Sequence, residues 1–206
     1  WGVTHAGLFT FAHSPKHGGL YRKFGFWPGY LIAIMGRKVG ERSGVKYARY
    51  SEGSDDERTR WRSHAREITD AIYPGLDVSI EIESVYTQKL GDTILVFEGD
   101  DVAAFSVCHA GPGTEAGPGK CYMKFAAARP GPEVRACLSA LLDAVHDFAA
   151  ASALKFIEGG VNMARREAFQ AMLDKGFRVL HQGVAMQRGN EAGYNRDGVY
   201  VIDDWR

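Results

Sequence analysis

The 206-residue sequence lacks an excess of charge of either sign. Lys plus Arg and Asp plus Glu both number 25, so the formal net charge is zero at neutral pH with neutral histidines. A protein without net charge has no overall field that attracts nucleic acid or a charged membrane surface. We therefore expect neither of these partners, and any anion-binding site must be local.

Cysteine is scarce, and long apolar runs are missing. The three cysteines, Cys108, Cys121 and Cys137, have no Cys-x-x-Cys spacing, which argues against a disulfide framework or a zinc site and favours a reducing cytoplasm. No stretch reaches the roughly 18 apolar residues that a membrane span needs. No charged and then apolar signal segment opens the chain either. We expect a soluble cytoplasmic protein without a membrane partner.

The composition, by contrast, is that of a folded globular protein. The sequence is 45% hydrophobic and 24% charged, which supplies enough apolar surface for a sizeable core. Its length fits either one large domain or about one and a half domains of ordinary size. The chain opens at Trp1, without an initiating Met, directly in a strand-like stretch, Thr4 to Phe11. We therefore expect that upstream sequence is missing.

A short pattern occurs twice in the chain, 151 residues apart. Residues 23–26 (Lys-Phe-Gly-Phe) and 34–37 (Ile-Met-Gly-Arg) recur as residues 174–177 (Asp-Lys-Gly-Phe) and 185–188 (Ala-Met-Gln-Arg). Each copy follows a predicted helix that ends before a glycine suited to the left-handed conformation after a helix. The matched order and the matched turn chemistry favour duplication of a strand–helix–strand unit.

Between the copies, the sequence predicts a linker and then a complete domain. Residues 40–44 are polar and glycine-rich, as is typical of a linker. After the linker, apolar periodicity predicts strand 45–50, helices 55–72 and 76–90, strands 93–98, 102–109 and 120–128, helix 133–151, strand 155–161, helix 164–175, and strands 179–187 and 198–202. We therefore divide the chain into residues 1–39 and residues 45–206.

Residues 14–26, Ser-Pro-Lys-His-Gly-Gly-Leu-Tyr-Arg-Lys-Phe-Gly-Phe, resemble a pattern of the GNAT N-acetyltransferase superfamily. That pattern is Asn-x-x-Ala-x-x-Leu-Tyr-x-Lys-x-Gly-Phe, and Ser14 stands in the place of its Asn. The order of elements after the linker is also similar to the GNAT order. The resemblance implies an α/β (α+β) fold with a mixed, mostly antiparallel sheet flanked by helices. Residues 1–39 are then the C-terminal portion of a first GNAT repeat, and residues 45–206 are a complete but degenerate one.

The same resemblance implies an acetyl-CoA-dependent N-acetyltransferase that acts on an amine of a small molecule or peptide and uses no metal. Acetyl-CoA is expected in a cleft where two parallel strands splay apart. Tyr21 matches the tyrosine that protonates the departing thiolate, and an ordinary phenol pKa near 10 keeps it protonated at neutral pH. By the resemblance, the cofactor-binding residues are Ser14, His17, Arg129, Asn162 and Arg165. The family pattern fixes no general base.

The complete repeat departs from the family pattern in two places. Its cofactor loop should read Arg/Gln-x-x-Gly-x-Gly/Ala, but Glu133, Ala136 and Leu138 stand at those positions. A carboxylate there repels phosphate, and a large side chain hinders the close backbone approach that glycine permits. Met172 stands where the first copy has Tyr21. The alternative function is therefore a non-catalytic binding or scaffold domain, and a further alternative is acyl-CoA binding through Arg129 and Arg165.

Other polar residues have ordinary structural interpretations. His13 and His17 share a helix face, but no nearby carboxylate completes a metal site with them. Asn162 is suited to cap the helix that follows it. The Gly/Pro-rich loop 110–119 and the helix 76–90 are expected on the acceptor side. The acids of that helix, Asp77, Glu81 and Glu83, either attract an amine or simply face solvent.

The first 39 residues cannot bury their apolar face alone. We expect their strands to extend or abut the sheet of the complete repeat. The residues expected to make much of that contact are Trp27, Tyr30, Leu31, Ile32 and Ile34. If upstream residues are absent, an exposed apolar patch and a homodimer across it are expected.

Overall fold

Most of the chain folds into the strands and helices that its apolar periodicity predicts. The computed structural model describes residues 5–204. Its elements in chain order are β1 (Ala6–Thr10), α1 (Pro15–Lys23), β2 (Phe26–Lys38), β3 (Ala48–Arg49), α2 (Asp55–Ile72), α3 (Ser79–Thr87), β4 (Gly91–Glu98), β5 (Asp101–Ala110), β6 (Lys120–Ala128), α4 (Val134–Ala151), β7 (Phe156–Asn162), α5 (Arg166–Asp174), β8 (Arg178–Arg188) and β9 (Val201–Ile202).

The strands of the described residues form one mixed sheet. Its order is β1-β8-β2-β7-β6-β5-β4-β3, and β9 pairs with β6. Strands β6 and β7 are parallel, and the other pairs are antiparallel. The predicted α/β fold, a mixed and mostly antiparallel sheet flanked by helices, is confirmed.

Two apolar cores lie on opposite faces of this sheet. One core contains Leu141 and Val145 of α4 together with Met172 of α5. The other contains Ile68 of α2 and Ile82 of α3. Helix α4 buries its apolar residues three and four positions apart, so one helix face covers the sheet. The sheet is therefore covered by helices on both sides.

Strand β2 lies inside the sheet, where the sequence had suggested that the strands of residues 1–39 extend or abut it. It pairs with β7 along one edge and with β8 along the other. Ile32 and Ile34 are fully buried in this position, as expected, but Trp27, Tyr30 and Leu31 are 49%, 59% and 39% exposed. Trp27 and Leu31 do pair with β8, but these three side chains stay partly exposed, because the buried part of β2 is its middle, between two neighbouring strands.

The two strand–helix–strand units match each other in structure at the same offset of 151 residues. Adding 151 to the bounds 15 and 23 of α1 gives 166 and 174, which are the bounds of α5. Ala6 faces Arg188 where β1 pairs with β8. Adding 151 to residue 6 gives Ile157, and subtracting 151 from residue 188 gives Arg37. These two residues also face each other, where β7 pairs with β2. The pairing of β1 with β8 and the pairing of β2 with β7 therefore have equivalent registers at this offset.

Several predicted boundaries differ from the structure. The strand expected at 45–50 contains only Ala48–Arg49, because a 3₁₀ turn begins at Tyr50. The helix expected from Leu76 begins at Ser79, since the Asp77 carboxylate accepts the Ser79 backbone N–H at 2.8 Å and fixes a turn there. The strand expected at 198–202 contains only Val201–Ile202. Thr4 of the first predicted strand lies outside the described residues.

Candidate active site

The parallel strands β6 and β7 part in the middle of the sheet. Their pairing runs from Lys120 and Phe156 to Met123 and Gly159. Beyond that point, β6 pairs with β9 through Ala126 and Ala127. A splayed cleft of the expected kind is therefore present within residues 45–204, and residues at the end of the described chain lie in it.

Arg165, a predicted cofactor contact, is buried beneath this cleft. Its guanidinium donates to the Asn195 side chain at 3.0 and 3.1 Å, to the Val201 carbonyl at 2.8 Å and to the Asp203 carboxylate at 2.7 Å. The same group lies 5.0 Å from the centre of the Tyr194 ring. The neighbouring Arg166 is exposed. Arg165 therefore binds the chain's own C-terminal residues in this structure.

Arg129 and the loop before α4 form a second part of the predicted cofactor site. The Arg129 guanidinium donates to the Val102 carbonyl at 3.2 Å and lies 3.8 Å from the Glu67 carboxylate. Glu98 and Glu133 line the same surface depression as Arg129. Three carboxylates, those of Glu67, Glu98 and Glu133, therefore lie near Arg129. This excess of negative charge disfavours the binding of a phosphate.

Leu138, expected to hinder the cofactor loop, lies elsewhere. Its side chain is fully buried in the core beneath α4, because it faces the sheet from the first turns of the helix. Ala136 is exposed on the other side of α4. The steric part of the sequence argument is therefore wrong for Leu138, whereas the charge of Glu133 remains at the loop.

Asn162 ends β7 and shapes the turn before α5. Its side-chain oxygen accepts the Ala164 backbone N–H at 3.0 Å. The residue at the N-cap of α5 is Arg165, so Asn162 does not cap this helix as expected. It stabilises the turn that precedes the helix. Asn162 also lines a small cavity of about 140 Å³ beside Trp27, Tyr30 and Gln187.

Ser14, His17 and Tyr21 lie together on α1, in the other unit. The Ser14 hydroxyl and His17 Nδ1 are 2.6 Å apart. The His17 and Tyr21 rings are stacked with centroids 6.4 Å apart. Tyr21 is half-buried and His17 is exposed. The residue at the matching position of α5, Met172 (21 + 151), is fully buried.

An acidic cavity of about 300 Å³ lies between α3 and β6. It is lined by Asp77, Glu81, Tyr122, Lys124, Phe125, Tyr194 and Asp203 among others. The hydrogen bonds from Ser79 hold the pKa of Asp77 below its ordinary value. Glu83 does not line the cavity but pairs with Arg62 at 2.8 Å. Two of the three acids that the sequence placed on the acceptor side therefore border one cavity.

Sequence reasoning missed the buried polar residues around the cleft. Tyr122 donates to Asp204 at 2.7 Å, and Tyr194 donates to Asp203 at 2.5 Å. His109 lies buried on β5, with its Nε2 3.8 Å from the Glu81 carboxylate. The Asp203-Asp204 pair directly after an apolar strand is the signal in the sequence that could have indicated a buried acidic cluster.

Two further properties concern the described residues alone. Within residues 5–204, no three His, Cys, Asp or Glu side chains are arranged so that they could hold a metal ion. None of the helices in that part of the chain has the length and apolar character needed to cross a membrane.

The fold is similar to solved structures, although the sequence matches no family model and no curated protein. A GCN5-related N-acetyltransferase from Sphaerobacter thermophilus is 17% identical with a TM-score of 0.57, over 89% of this chain and 59% of that one. A GNAT-family acetyltransferase from Colwellia psychrerythraea is 11% identical with a TM-score of 0.60, over 88% and 65% of the two chains. These similarities show a GNAT fold. The chain spans less than two thirds of the length of either protein.

Proposed function

We propose that the protein is an acetyl-CoA-dependent N-acetyltransferase built from two GNAT repeats, with its chemistry in the first. Residues 1–39 are then the C-terminal portion of that first repeat, and residues 45–206 are a degenerate second one. The GNAT fold supports the reaction class. The observation that carries the assignment to the first repeat is the difference between matching positions, a half-buried Tyr21 on α1 and a fully buried Met172 on α5.

The matched register of the two units supports the two-repeat proposal. Ile32 faces Gly183 where β2 pairs with β8, and the offset maps this pair onto itself (32 + 151 = 183). Chance similarity of a few residues does not require the strands to pair symmetrically. A duplicated unit that packs against its own copy gives this arrangement directly.

Tyr21 is the proposed catalytic residue, and Ser14 and His17 are proposed to position the acyl donor beside it. The three side chains share one face of α1, from its N-cap Ser14 to Tyr21 in its last turn. A phenol O–H can donate its proton to a departing thiolate as a general acid. The acceptor is proposed to be an amine of a small molecule or peptide, in keeping with the family.

The residues of the complete repeat do not fit acetyl-CoA. Its splayed cleft contains β9. Arg165 donates its hydrogen bonds to Asp203 and Asn195. Glu133 lines the same surface depression as Arg129. We therefore derive no catalytic step in residues 45–206. For this repeat, a non-catalytic binding or scaffold role is the second candidate function, and the filled cleft is the observation that favours it.

The test is release of free thiol from acetyl-CoA by the full natural protein, with a panel of primary amines as acceptors. We expect Tyr21→Phe to lower kcat by about a hundredfold or more, the usual contribution of a general acid, while the affinity for acetyl-CoA stays within about twofold. Tyr30→Phe is the matched control, since Tyr30 is an exposed tyrosine on β2, and it should keep the wild-type rate.

Two results would contradict the proposal. A Tyr21→Phe variant with the wild-type rate would show that Tyr21 takes no part in the reaction. A protein that neither binds acetyl-CoA at millimolar concentration nor releases thiol with any amine would leave the non-catalytic role as the function of both repeats.

A further inference from the structure

The C-terminal segment, defined as residues 199–204, is buried along its whole length. Its most exposed member, Tyr200, is only 9% exposed, and Val201, Ile202 and Asp204 are fully buried. The Tyr200 carbonyl accepts the Ala128 backbone N–H at 3.2 Å. The segment therefore lies in the cleft between β6 and β7, where its residues Val201 and Ile202 form strand β9.

Two carboxylates fix this segment in the cleft. Asp203 accepts hydrogen bonds from Arg165 at 2.7 Å and from Tyr194 at 2.5 Å. Asp204 accepts one from Tyr122 on β6 at 2.7 Å. Charged side chains are buried in proteins when they are paired or hydrogen-bonded. Asp203 is paired with Arg165, and Asp204 accepts the Tyr122 hydroxyl. The cleft thus contains a specific receptor for two consecutive acidic residues.

Two glycines of β7 make room for the segment. A methyl group on Gly160 would lie 2.1 Å from the Cβ atom of Asp204, far inside van der Waals contact. A methyl group on Gly159 would lie 3.3 Å from Ile202 and 2.7 Å from Met123. Glycine in the middle of a strand permits another backbone to approach closely. The Gly159-Gly160 pair therefore matches the shape of the segment.

We propose that this cleft is a strand-binding groove and that the C-terminal segment is its built-in ligand, which keeps acyl-CoA out of the complete repeat. The ligand class is an extended peptide in which two consecutive acidic residues follow an apolar stretch. Ladder hydrogen bonds from β6 supply affinity, and Arg165, Tyr194 and Tyr122 supply specificity for the acids. The cleft that the fold implies for acetyl-CoA is thereby occupied by the protein itself.

The groove is tested by restoring its ligand as a separate molecule. The variant is the protein lacking residues 199–206, and the probe is a fluorescent peptide of residues 198–204, Gly-Val-Tyr-Val-Ile-Asp-Asp. We expect saturable binding to this variant, no binding to the intact protein, and at least tenfold weaker binding of a peptide in which both aspartates are alanines. Coenzyme A should not displace the peptide at a concentration of about 1 mM, which is the upper end of the usual range of KM values.

Three outcomes of this titration would overturn the proposal. In the first, the truncated protein is folded but does not bind the peptide. In the second, the intact protein binds the peptide as tightly as the truncated protein does. In the third, coenzyme A displaces the bound peptide. The titration involves neither Tyr21 nor acyl transfer. Its failure therefore leaves the proposed function standing, and loss of the proposed function leaves the groove standing.

A second variant covers the case in which the truncated protein does not fold. In the intact protein, Gly160→Ala should raise hydrogen exchange of the amides in residues 200–204 at least tenfold while the amides of β4 and β5 stay protected. Gly131→Ala is the matched control, because a methyl group there meets no atom within 4 Å. Unchanged exchange in the segment of the Gly160→Ala variant would show that the cleft does not hold it.

Discussion

At the scale of single residues, His109 is a buried histidine without a hydrogen-bond partner. Among the described residues, neither of its ring nitrogens has a hydrogen bond. Burial lowers the pKa of His109, and Lys124 lowers it further, whereas Glu115 and Glu81 act in the opposite direction. The folded protein therefore favours the neutral imidazole, and the unfolded chain binds a proton more readily.

This difference makes stability depend on pH. With a lowered pKa in the folded state, the contribution of His109 is fully present above the unfolded value of about 6.5 and is lost as the pH falls through it. We expect the free energy of unfolding to decrease between pH 7.5 and 5.5, and His109→Phe to reduce that decrease. Urea denaturation at the two pH values measures it.

The control for this titration is His13→Phe, because His13 is an exposed histidine on the same protein. It should retain the pH dependence of the wild type. Equal pH dependence in the His109→Phe variant and the wild type would contradict the assignment to His109.

At the scale of elements, the linker between the two units is fixed to α4. The Asp147 carboxylate accepts the backbone N–H groups of Ser43 and Gly44, each at 2.7 Å, and the Ser43 hydroxyl at 3.1 Å. His146 Nε2 accepts the Gly40 backbone N–H at 2.9 Å. The glycine-rich stretch that the sequence marks as a linker is therefore a hydrogen-bonded connection between β2 and β3.

Replacing Asp147 by alanine should weaken this connection. The variant leaves the N–H groups of Ser43 and Gly44 without their partner, which costs about 1–3 kcal/mol of the free energy of unfolding. Chemical denaturation at pH 7 measures the loss. Asp100→Ala, at an exposed hairpin turn, is the control and should change stability by less than about 0.5 kcal/mol.

The pH dependence of the Asp147 contribution has a definite sign. Burial raises the pKa of Asp147, but the hydrogen bonds from Ser43, Gly44 and His146 outweigh burial and lower it overall. A lowered carboxyl pKa stabilises the fold above the unfolded value of about 3.9, and this stabilisation is lost as the pH falls through the folded value. An Asp147→Ala defect that persists unchanged at pH 2 would contradict this account.

At the scale of the whole molecule, the first unit presents an uncovered face. Helix α1 has no buried residue, whereas α5 at the matching position buries Ala168, Ala171 and Met172. Strand β1 is at the end of the sheet order. Leu20 and Phe24 are 44% and 65% exposed on this side. Large exposed apolar surfaces of this kind mark interfaces.

We therefore predict that the 206-residue chain forms homodimers through α1 and β1. Sedimentation velocity should show concentration-dependent association, and Leu20→Asp together with Phe24→Asp should shift the equilibrium at least tenfold toward monomer. Ile80→Asp is the control, since Ile80 is an exposed apolar residue of α3, outside both strand–helix–strand units. A wild-type chain that stays monomeric at about 100 μM, well above ordinary interface dissociation constants, would contradict the prediction.

The sequence predicted most elements of this fold but only part of the candidate site. The apolar period of α4 and the glycines after α1 and α5 are local signals, and both were read correctly. Arg165 was expected near a cofactor, although its partner Asp203 comes 38 residues later in the chain. The residues within one helical turn of an arginine do not indicate whether a carboxylate far away in the chain will pair with it in the protein interior.

The sequence by itself determined most of the helices and strands, because each depends on neighbours a few positions away. It also contains a pattern that recurs at an offset of 151 residues. Only the tertiary structure decided that β2 enters the sheet between β7 and β8 and that residues 199–204 lie between β6 and β7. Strand neighbours and buried ion pairs join residues far apart in the chain. Their identity is fixed by which surfaces meet once the sheet forms, and no local pattern contains that information.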